Sequence, residues 1–151
     1  MIYRNKSAQR EFELLEKMEA GISLTGGEVK SIKTRGIKLE GAHVRIVDGQ
    51  VYLLNAEIQP YQQAQTEDYD IRRSRRLLLH RKEILKLQIK QSQGSNLTIV
   101  PLSCYNKKGN IKVEIALAKG RKTWEKKKIE AHKTEQRRTE KEMKEYLKVR
   151  K

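Results

Sequence analysis

The sequence has few cysteine, proline or aromatic residues, and it lacks long uninterrupted apolar runs. Of its 151 residues, one is Cys, two are Pro and 5% are aromatic. The single cysteine, Cys104, excludes an intrachain disulfide and favours a reducing compartment, and its apolar strand context predicts a buried, unreactive thiol. No segment reaches the roughly 18 apolar residues of a membrane-spanning helix, and the first residues lack the apolar core of a secretory signal. We therefore expect a soluble, cytoplasmic protein with no membrane partner.

Acidic residues are also scarce relative to basic ones. The chain has 19 Asp and Glu against 34 Lys and Arg, a formal net charge of +15. The last 33 residues hold 14 Lys or Arg against 6 Glu, and their few apolar side chains cannot offset the ~1–2 kcal/mol per residue that ordering a backbone costs. The sequence thus predicts a folded domain at residues 1–118 and a basic C-terminal tail at residues 119–151. Because both parts are cationic, we expect contact with a large polyanion at two places.

The first half of the folded domain shows a strand, a helix and a hairpin. Residues 11–24 alternate polar and apolar side chains, which predicts one long curved strand with Gly21 available for a bend. Thr25 and Glu28 have the spacing of a capping box, so we expect a short helix over residues 26–34 that stops at Gly36. The dipeptide Asp48-Gly49, between two apolar segments, favours a tight hairpin.

The second half completes a β-rich pattern. Residues 61–76 are polar and predict a long surface loop, after which residues 77–79 resume an apolar run. Ile84 and Leu87 fall on one face of a predicted helix that ends at Gly94. Two strands follow, and Pro101 predicts an edge position or a bulge in the first. Five strands with a helix between the third and fourth are typical of the OB-type β-barrel, a mainly β fold with short helices that commonly binds nucleic acid.

The densest basic cluster of the folded domain is formed by Arg72, Arg73, Arg75 and Arg76, just before the apolar run. Guanidinium groups match phosphate oxygens, so the cluster predicts RNA contact. The alternative is a solubilising loop in which these arginines pair with nearby Glu67, Asp68 and Asp70. Glu19 and Glu28 are carboxylates that could accept hydrogen bonds from base amino groups or 2′-hydroxyls, although Glu28 also fits a purely structural helix cap.

Few residues suggest catalysis or metal binding. His43, His80 and His132 are too scattered to form a zinc site with one cysteine, so we expect no metal and no other cofactor. No constellation of catalytic side chains is recognisable, and we expect a protein that is not an enzyme. The enzymatic alternative is a barrel-fold nuclease that uses Glu28 or Glu40 with the loop arginines.

Several separated motifs occur in an order that resembles the SsrA-binding protein family, also called small protein B. They are MEAGISLTGGEVKSIK, RRLLLH, VPL and ALAKGRK. The resemblance implies an OB-type barrel with extra helices that binds the tRNA-like domain of transfer-messenger RNA and carries it to stalled ribosomes for trans-translation. Elongation factor Tu would be an indirect partner through the charged RNA. The tail would be disordered when free and helical in the empty messenger channel of the small subunit.

The resemblance also assigns site residues. The RNA-binding patch would include Glu19, Glu28 and Lys30, together with Arg73, Arg75 and Arg76 of the basic loop. Contacts near the decoding centre would come from Lys119, Arg121, Lys122, Trp124, Glu125, Lys126 and Lys127. Trp124 stands where the family usually has His or Tyr, and its ring could stack on an exposed base. The alternative is that it folds back onto the barrel. The charge layout alone would equally suit a ribosomal or other ribonucleoprotein structural protein with a basic extension.

Overall fold

The chain divides at Gly120 into two units, which we describe separately. The computed structural model describes residues 2–61, 68–94, 97–121, 131 and 134–144. The first unit spans Met1–Gly120 and the second Arg121–Lys151. None of the helices in these described ranges has the length and apolar character needed to cross a membrane.

The first unit is mainly β with short helices, which confirms the predicted fold class. Its elements, in chain order, are β1 (Ile2–Arg4), α1 (Ala8–Glu11), β2 (Phe12–Ile22), α2 (Gly26–Thr34), β3 (His43–Val47), β4 (Gln50–Leu54), β5 (Arg75–Leu78), α3 (Arg81–Gln93), β6 (Leu97–Lys107) and β7 (Asn110–Gly120).

Six of the strands close into an antiparallel barrel. Their order is β6-β3-β4-β5-β2-β7, and pairing of β7 with β6 completes the ring. The short β1 adds to β6, with Tyr3 opposite Cys104. Closure gives each strand of the ring a neighbour on both sides. The inward side chains form one core, which includes Val51, Leu53, Leu77, Ile99, Val113 and Ile115. Cys104 is fully buried as predicted, and burial raises the pKa of its thiol to about 12.

Local predictions in the first unit are confirmed in detail. The β3–β4 hairpin turns at Asp48 and Gly49, which both have positive φ, 52° and 75°. The register of β6 with β7 shifts after Pro101, which is the predicted bulge. Thr25 caps α2: its hydroxyl accepts from the Glu28 amide at 3.2 Å, and Glu28 accepts from the Thr25 amide at 3.0 Å.

Three features differ from the expectations. The first unit has seven strands rather than five, because β1 was not predicted and β5 begins at Arg75, inside the expected loop. The alternation of β5 was hidden because its first inward position holds an arginine instead of an apolar residue. The register of β2 with β7 shifts between Leu14 and Glu16, an irregularity that the sequence did not predict.

The second unit is described only over its middle part. Residues 134–144 are helical and all exposed, with an Arg138–Glu142 ion pair at 3.6 Å and a Thr139 hydroxyl bound to the Glu135 carbonyl at 3.0 Å. An isolated helix of this length is marginally stable in water, because forming its first turn fixes the backbone of several residues for a single hydrogen bond. The predicted change from coil to helix on RNA contact stays a prediction.

Gly36 is the glycine whose replacement should cost most, because two constraints meet there. Its φ is +92°, and a Cβ atom would lie 2.4 Å from a ring carbon of Tyr3. We predict that Gly36→Ala lowers the free energy of unfolding by about 1–3 kcal/mol or more, measured by urea denaturation. Gly49→Ala is the matched control, since Gly49 also has positive φ, +75°, but open space around it. Equal losses for the two variants would contradict a role for the Tyr3 ring.

Candidate nucleic-acid interface

A buried carboxylate, Glu28, holds the loop before β5 against helix α2. Glu28 is 2% exposed. Arg75 Nε donates to its Oε2 at 2.7 Å, and Arg73 Nε donates to the same oxygen at 3.2 Å. Arg73 Nη2 also donates to Oε1, which accepts the Thr25 amide as well. The carboxylate is therefore enclosed by two guanidiniums and the end of a helix.

The Arg75 guanidinium is fully buried, and each of its donors has an acceptor. Besides Glu28, it reaches the Ala56 and Arg73 carbonyls at 2.9 and 3.1 Å from Nη1. From Nη2 it reaches the Tyr69 hydroxyl at 3.2 Å and the Ile71 carbonyl at 3.0 Å. These five bonds match the five N–H groups of an arginine. A buried cation is tolerated here because its charge is paired and its hydrogen bonds are complete.

The charge of Glu28 is set by this environment. Burial by itself raises the pKa, but the hydrogen bonds from Arg73, the Thr25 amide and Arg75 outweigh it and lower the pKa of Glu28 to about 2. The pKa of the Tyr69 hydroxyl shifts in the opposite direction: it is raised, mainly by burial and secondly by the negative charge of Glu28. Glu28 is therefore a carboxylate at neutral pH, and its oxygens are already occupied by protein donors.

The four arginines of the basic cluster thus have different surroundings. Arg75 is enclosed, and Arg73, whose side chain is 35% exposed, shares Glu28 with it. Arg72 pairs with Glu57, with Nε and Nη2 at 2.8 and 2.5 Å from the same carboxylate oxygen. That hydrogen bond is the main reason why the pKa of Glu57 is lowered.

Arg76 is the exception, because it is exposed and its side chain forms no hydrogen bond or ion pair with another described residue. Within the described residues, the acidic partners of the other arginine side chains are Glu28 and Glu57, not Asp68 or Asp70; Glu67, the third acid of the alternative, lies outside the described residues. In the free protein, Glu28 and Arg75 therefore hold the loop in place, while Arg76 and part of Arg73 face solvent. The RNA contacts proposed for this patch stay a prediction.

Arg76 and Glu19, which the family resemblance assigned to the RNA-binding patch, line the same groove. The groove encloses about 480 Å³ and lies between β2, β5, the β3–β4 turn and the start of α3. Its lining includes Glu19, Gly21, Arg76, Leu78, His80 and Lys112. We call it the β2–β5 groove.

The floor of the β2–β5 groove is open because Gly21 has no side chain. Gly21 lies opposite Leu78 on one side and Lys112 on the other. A Cβ atom on Gly21 would lie 3.2 Å from that of Leu78. Gly21 therefore keeps a gap between an apolar wall, where Leu78 is 51% exposed, and a cationic wall formed by Lys112.

Glu19 is held as an oriented anion at this groove. The Tyr105 hydroxyl donates to Oε2 of Glu19, and Lys107 Nζ lies 3.4 Å from Oε1. The hydrogen bond from Tyr105 is the main cause of the lowered pKa of Glu19. In return, burial and the Glu19 acceptor raise the pKa of Tyr105 to about 12. Glu19 can therefore accept hydrogen bonds from base amino groups or ribose hydroxyls, while Arg76 and Lys112 can neutralise phosphates.

Other predicted site residues are spread more widely. Lys30 is exposed on α2, with its Nζ 5.6 Å from the centre of the Tyr61 ring. Lys119 is exposed at the end of β7, opposite Glu13 on β2 and Leu97 on β6. Arg121 lies two residues further along the chain. The remaining tail residues of the prediction lie outside the described residues: Lys122, Trp124, Glu125, Lys126 and Lys127.

The sequence did not single out Leu78, Tyr105 or Lys112 as site residues. Each lies at a cross-strand position, and only the strand register brings it to the groove. The only local signal was alternation along each strand, which marks an outward side chain without naming its neighbours.

The geometry argues against Glu28 as the catalytic carboxylate of the nuclease alternative, while the version of that alternative with Glu40 stays a prediction. Both Glu28 oxygens accept hydrogen bonds from protein groups, so they are not available to a metal ion or as a general base. Within the described ranges, no three His, Cys, Asp or Glu side chains come together as metal ligands.

Comparisons with known proteins agree in pointing to one family. A family model described as SmpB protein matches residues 2–145. The SsrA-binding protein of Sulfurihydrogenibium sp. (strain YO3AOP1) is 46% identical over 149 residues, covering 99% of this chain and 97% of that protein. That of Rubrobacter xylanophilus is 44% identical over 144 residues, 95% of each. A structure described as "tmRNA-SmpB: a journey to the center of the bacterial ribosome" contains a chain 41% identical, with a TM-score of 0.66, covering 81% of this chain and 85% of that chain.

Glu28 should make stability depend on pH in the acid range. Because its pKa is about 2 in the folded protein and near 4.5 when unperturbed, its stabilisation is fully present above pH 4.5 and is lost as the pH falls towards 2. At about 1.4 kcal/mol per pKa unit, the loss is on the order of 3 kcal/mol. Urea denaturation at a series of pH values measures it, and Glu28→Gln should remove this part of the pH dependence.

The control for that prediction is Glu57→Gln, which removes a partly exposed carboxylate that also pairs with an arginine. It should leave the pH dependence nearly unchanged, since solvent screens such pairs. Glu28→Gln should itself be destabilised by about 3–5 kcal/mol because Arg75 would lose its buried counter-charge. If it does not fold, Arg73→Gln provides a milder test of the same pair. An acid profile of Glu28→Gln parallel to the wild type would contradict the assignment.

Proposed function

The chain belongs to the SmpB protein family, and we propose that it is a non-enzymatic RNA-binding adaptor of trans-translation. It binds the tRNA-like domain of transfer-messenger RNA and delivers it to stalled ribosomes, where translation continues on the tag-encoding frame. Support comes from the family, from relatives named SsrA-binding protein and from the similar chain in a structure described as tmRNA-SmpB in the bacterial ribosome.

The observation that carries the RNA-binding part of this proposal is the β2–β5 groove. It combines an oriented carboxylate, Glu19, with an exposed apolar side chain and the cations Arg76 and Lys112. Cations alone attract any nucleic acid, since their main interaction is with phosphates. A fixed anion repels phosphates, and it accepts hydrogen bonds only from donor groups on bases or riboses. Such a mixed site favours one RNA shape over others, as an adaptor requires.

The second contact of the adaptor is assigned to the tail. We propose that it enters the empty messenger channel of the small subunit as a helix, with Lys119, Arg121 and Trp124 near the decoding centre. Elongation factor Tu would join indirectly through the charged RNA, and the setting is the cytoplasm. The exposed, charged helix at residues 134–144 suits a channel lined by RNA phosphates.

Binding to the tRNA-like domain should depend on the groove residues rather than on net charge. We predict that Glu19→Gln weakens binding at least about tenfold, because a charged hydrogen-bond acceptor is lost. Arg76→Gln should lower the steepness of the log–log salt dependence by about 0.7–0.9, because one phosphate contact is lost. Fluorescence anisotropy with labelled RNA at several salt concentrations measures both effects.

Arg72→Gln is the matched control for Arg76→Gln. It removes the same charge from the same cluster, but Glu57 already pairs with Arg72 in the free protein. It should change the salt dependence less than Arg76→Gln does. Equal effects of the two substitutions would contradict the groove, and equal wild-type affinity for the tRNA-like domain and for unrelated hairpins would contradict the proposed function.

Removal of the tail distinguishes the proposed adaptor function from the function of a structural ribonucleoprotein component. We predict that a chain ending at Gly120 keeps affinity for the tRNA-like domain within a few fold, because the groove lies in the first unit. It should lose tagging of nascent chains on stalled ribosomes in a reconstituted translation system. A structural component would instead lose assembly into its particle, and unchanged tagging by the shortened chain would overturn the role of the tail.

A further inference from the structure

Three side chains from adjacent strands form a row on the outer face of the barrel. Arg45 of β3 lies opposite Tyr52 of β4, and Tyr52 lies opposite Arg76 of β5. Residues directly opposite in antiparallel strands have Cβ atoms about 4.5–5.5 Å apart and point to the same face. Both arginines are exposed and Tyr52 is partly exposed. The row therefore places a tyrosine between two arginines.

The Tyr52 ring is held in place before any ligand arrives. Its hydroxyl donates to Oε1 of Gln50 at 2.8 Å, two residues earlier on the same strand. An aromatic side chain that is already ordered loses less entropy when a ligand stacks on it. Gln50 and Arg76 also line the β2–β5 groove, so the row is continuous with it.

The charges of the row are left available. Within the described part of the chain, neither Arg45 nor Arg76 forms an ion pair. Neither of them lies in cation–π contact with the Tyr52 ring, whereas Lys30 does lie over the Tyr61 ring. An uncovered ring beside unneutralised cations is complementary to a base with flanking phosphates. It is poorly matched to an apolar peptide, which would have to bury two unpaired charges.

We propose that Arg45, Tyr52 and Arg76 form a stacking site for one unpaired nucleotide of the bound RNA, next to the β2–β5 groove. The base stacks on the Tyr52 ring, and the guanidiniums contact the phosphates on either side of it. The site rests on the proposed function for the choice of RNA. Stacking of a base on an aromatic side chain contributes enough to change affinity by about 5- to 100-fold.

The test compares two substitutions of the tyrosine in the full-length protein. Tyr52→Leu removes the ring but keeps an apolar side chain, and it should weaken binding of the tRNA-like domain RNA by about 5- to 100-fold. Tyr52→Phe keeps the ring and should bind within a few fold of the wild type. Thermal denaturation of each variant checks that the barrel is intact. Arg45→Gln should reduce the salt dependence by about 0.7–0.9, and Lys33→Gln, an exposed cation on α2, is its charge-matched control.

Photo-crosslinking locates the contact directly. RNA transcribed with 4-thiouridine and irradiated in the wild-type complex should give a nucleotide adduct on Tyr52, identified by mass spectrometry. A fully paired RNA duplex should give no such adduct, and its binding should not distinguish Tyr52→Leu from the wild type.

The outcomes separate this site from the proposed function. If the wild type prefers the tRNA-like domain but Tyr52→Leu binds it equally well, the stacking site is wrong and the adaptor stands. If the wild type shows no such preference but Tyr52→Leu still loses affinity for RNA with unpaired bases, the stacking site stands and the proposed function fails. Equal losses for Tyr52→Phe and Tyr52→Leu would also overturn stacking, because the phenylalanine ring retains its π face.

Discussion

The buried pairing of Glu28 with Arg75 and Arg73 is the interaction on which the rest of the site depends. It joins the start of α2 to the segment before β5 and fixes which face of β5 each residue takes. Because side chains alternate along a strand, an inward Arg75 requires an outward Arg76 and an outward Leu78. A slip by one residue would bury Arg76 without a partner and expose the guanidinium that Glu28 needs. One ion pair therefore sets the side chains that the β2–β5 groove presents.

Two properties of the protein would contribute to RNA binding in different ways: its net positive charge would attract nucleic acid, and the β2–β5 groove would select among nucleic acids. A net charge of +15 draws the protein to any polyanion, and this long-range term weakens as salt increases. Internal acids neutralise part of that charge: Glu28 takes Arg73 and Arg75, and Glu57 takes Arg72. Arg76, which forms no ion pair within the described residues, lines the β2–β5 groove together with a fixed carboxylate, Glu19. In the proposed function, this carboxylate, positioned by Tyr105, would make the groove selective, because an anion in a basic surface repels phosphates and accepts hydrogen bonds only from suitable donors.

The two units suit two different kinds of contact. The barrel is closed and its binding side chains are held by hydrogen bonds, so little entropy is lost when RNA docks on it. The described helix of the second unit is exposed on all sides and has one i,i+4 ion pair. If the tail becomes ordered only on contact with RNA, as proposed, the cost of that ordering would lower its affinity for other partners. A preformed barrel for one RNA and a tail that orders on another would suit the proposed adaptor.

The sequence by itself determined the features that depend on neighbours within a few residues: the capping box at Thr25, the Asp48-Gly49 turn, the bulge at Pro101 and the mainly β character. These follow from local sterics and short-range hydrogen bonds, which do not require the fold to be known. The family motifs also led to Glu19 and Arg76. Only the tertiary structure decided that Arg73 and Arg75 bind Glu28, 45 and 47 residues away, instead of Asp68 or Asp70. It likewise decided that Gly21 forms a groove floor and that β1 joins β6. The physical reason is that a cross-strand partner is chosen by closure of the barrel, and any one strand carries only the alternation of its own side chains.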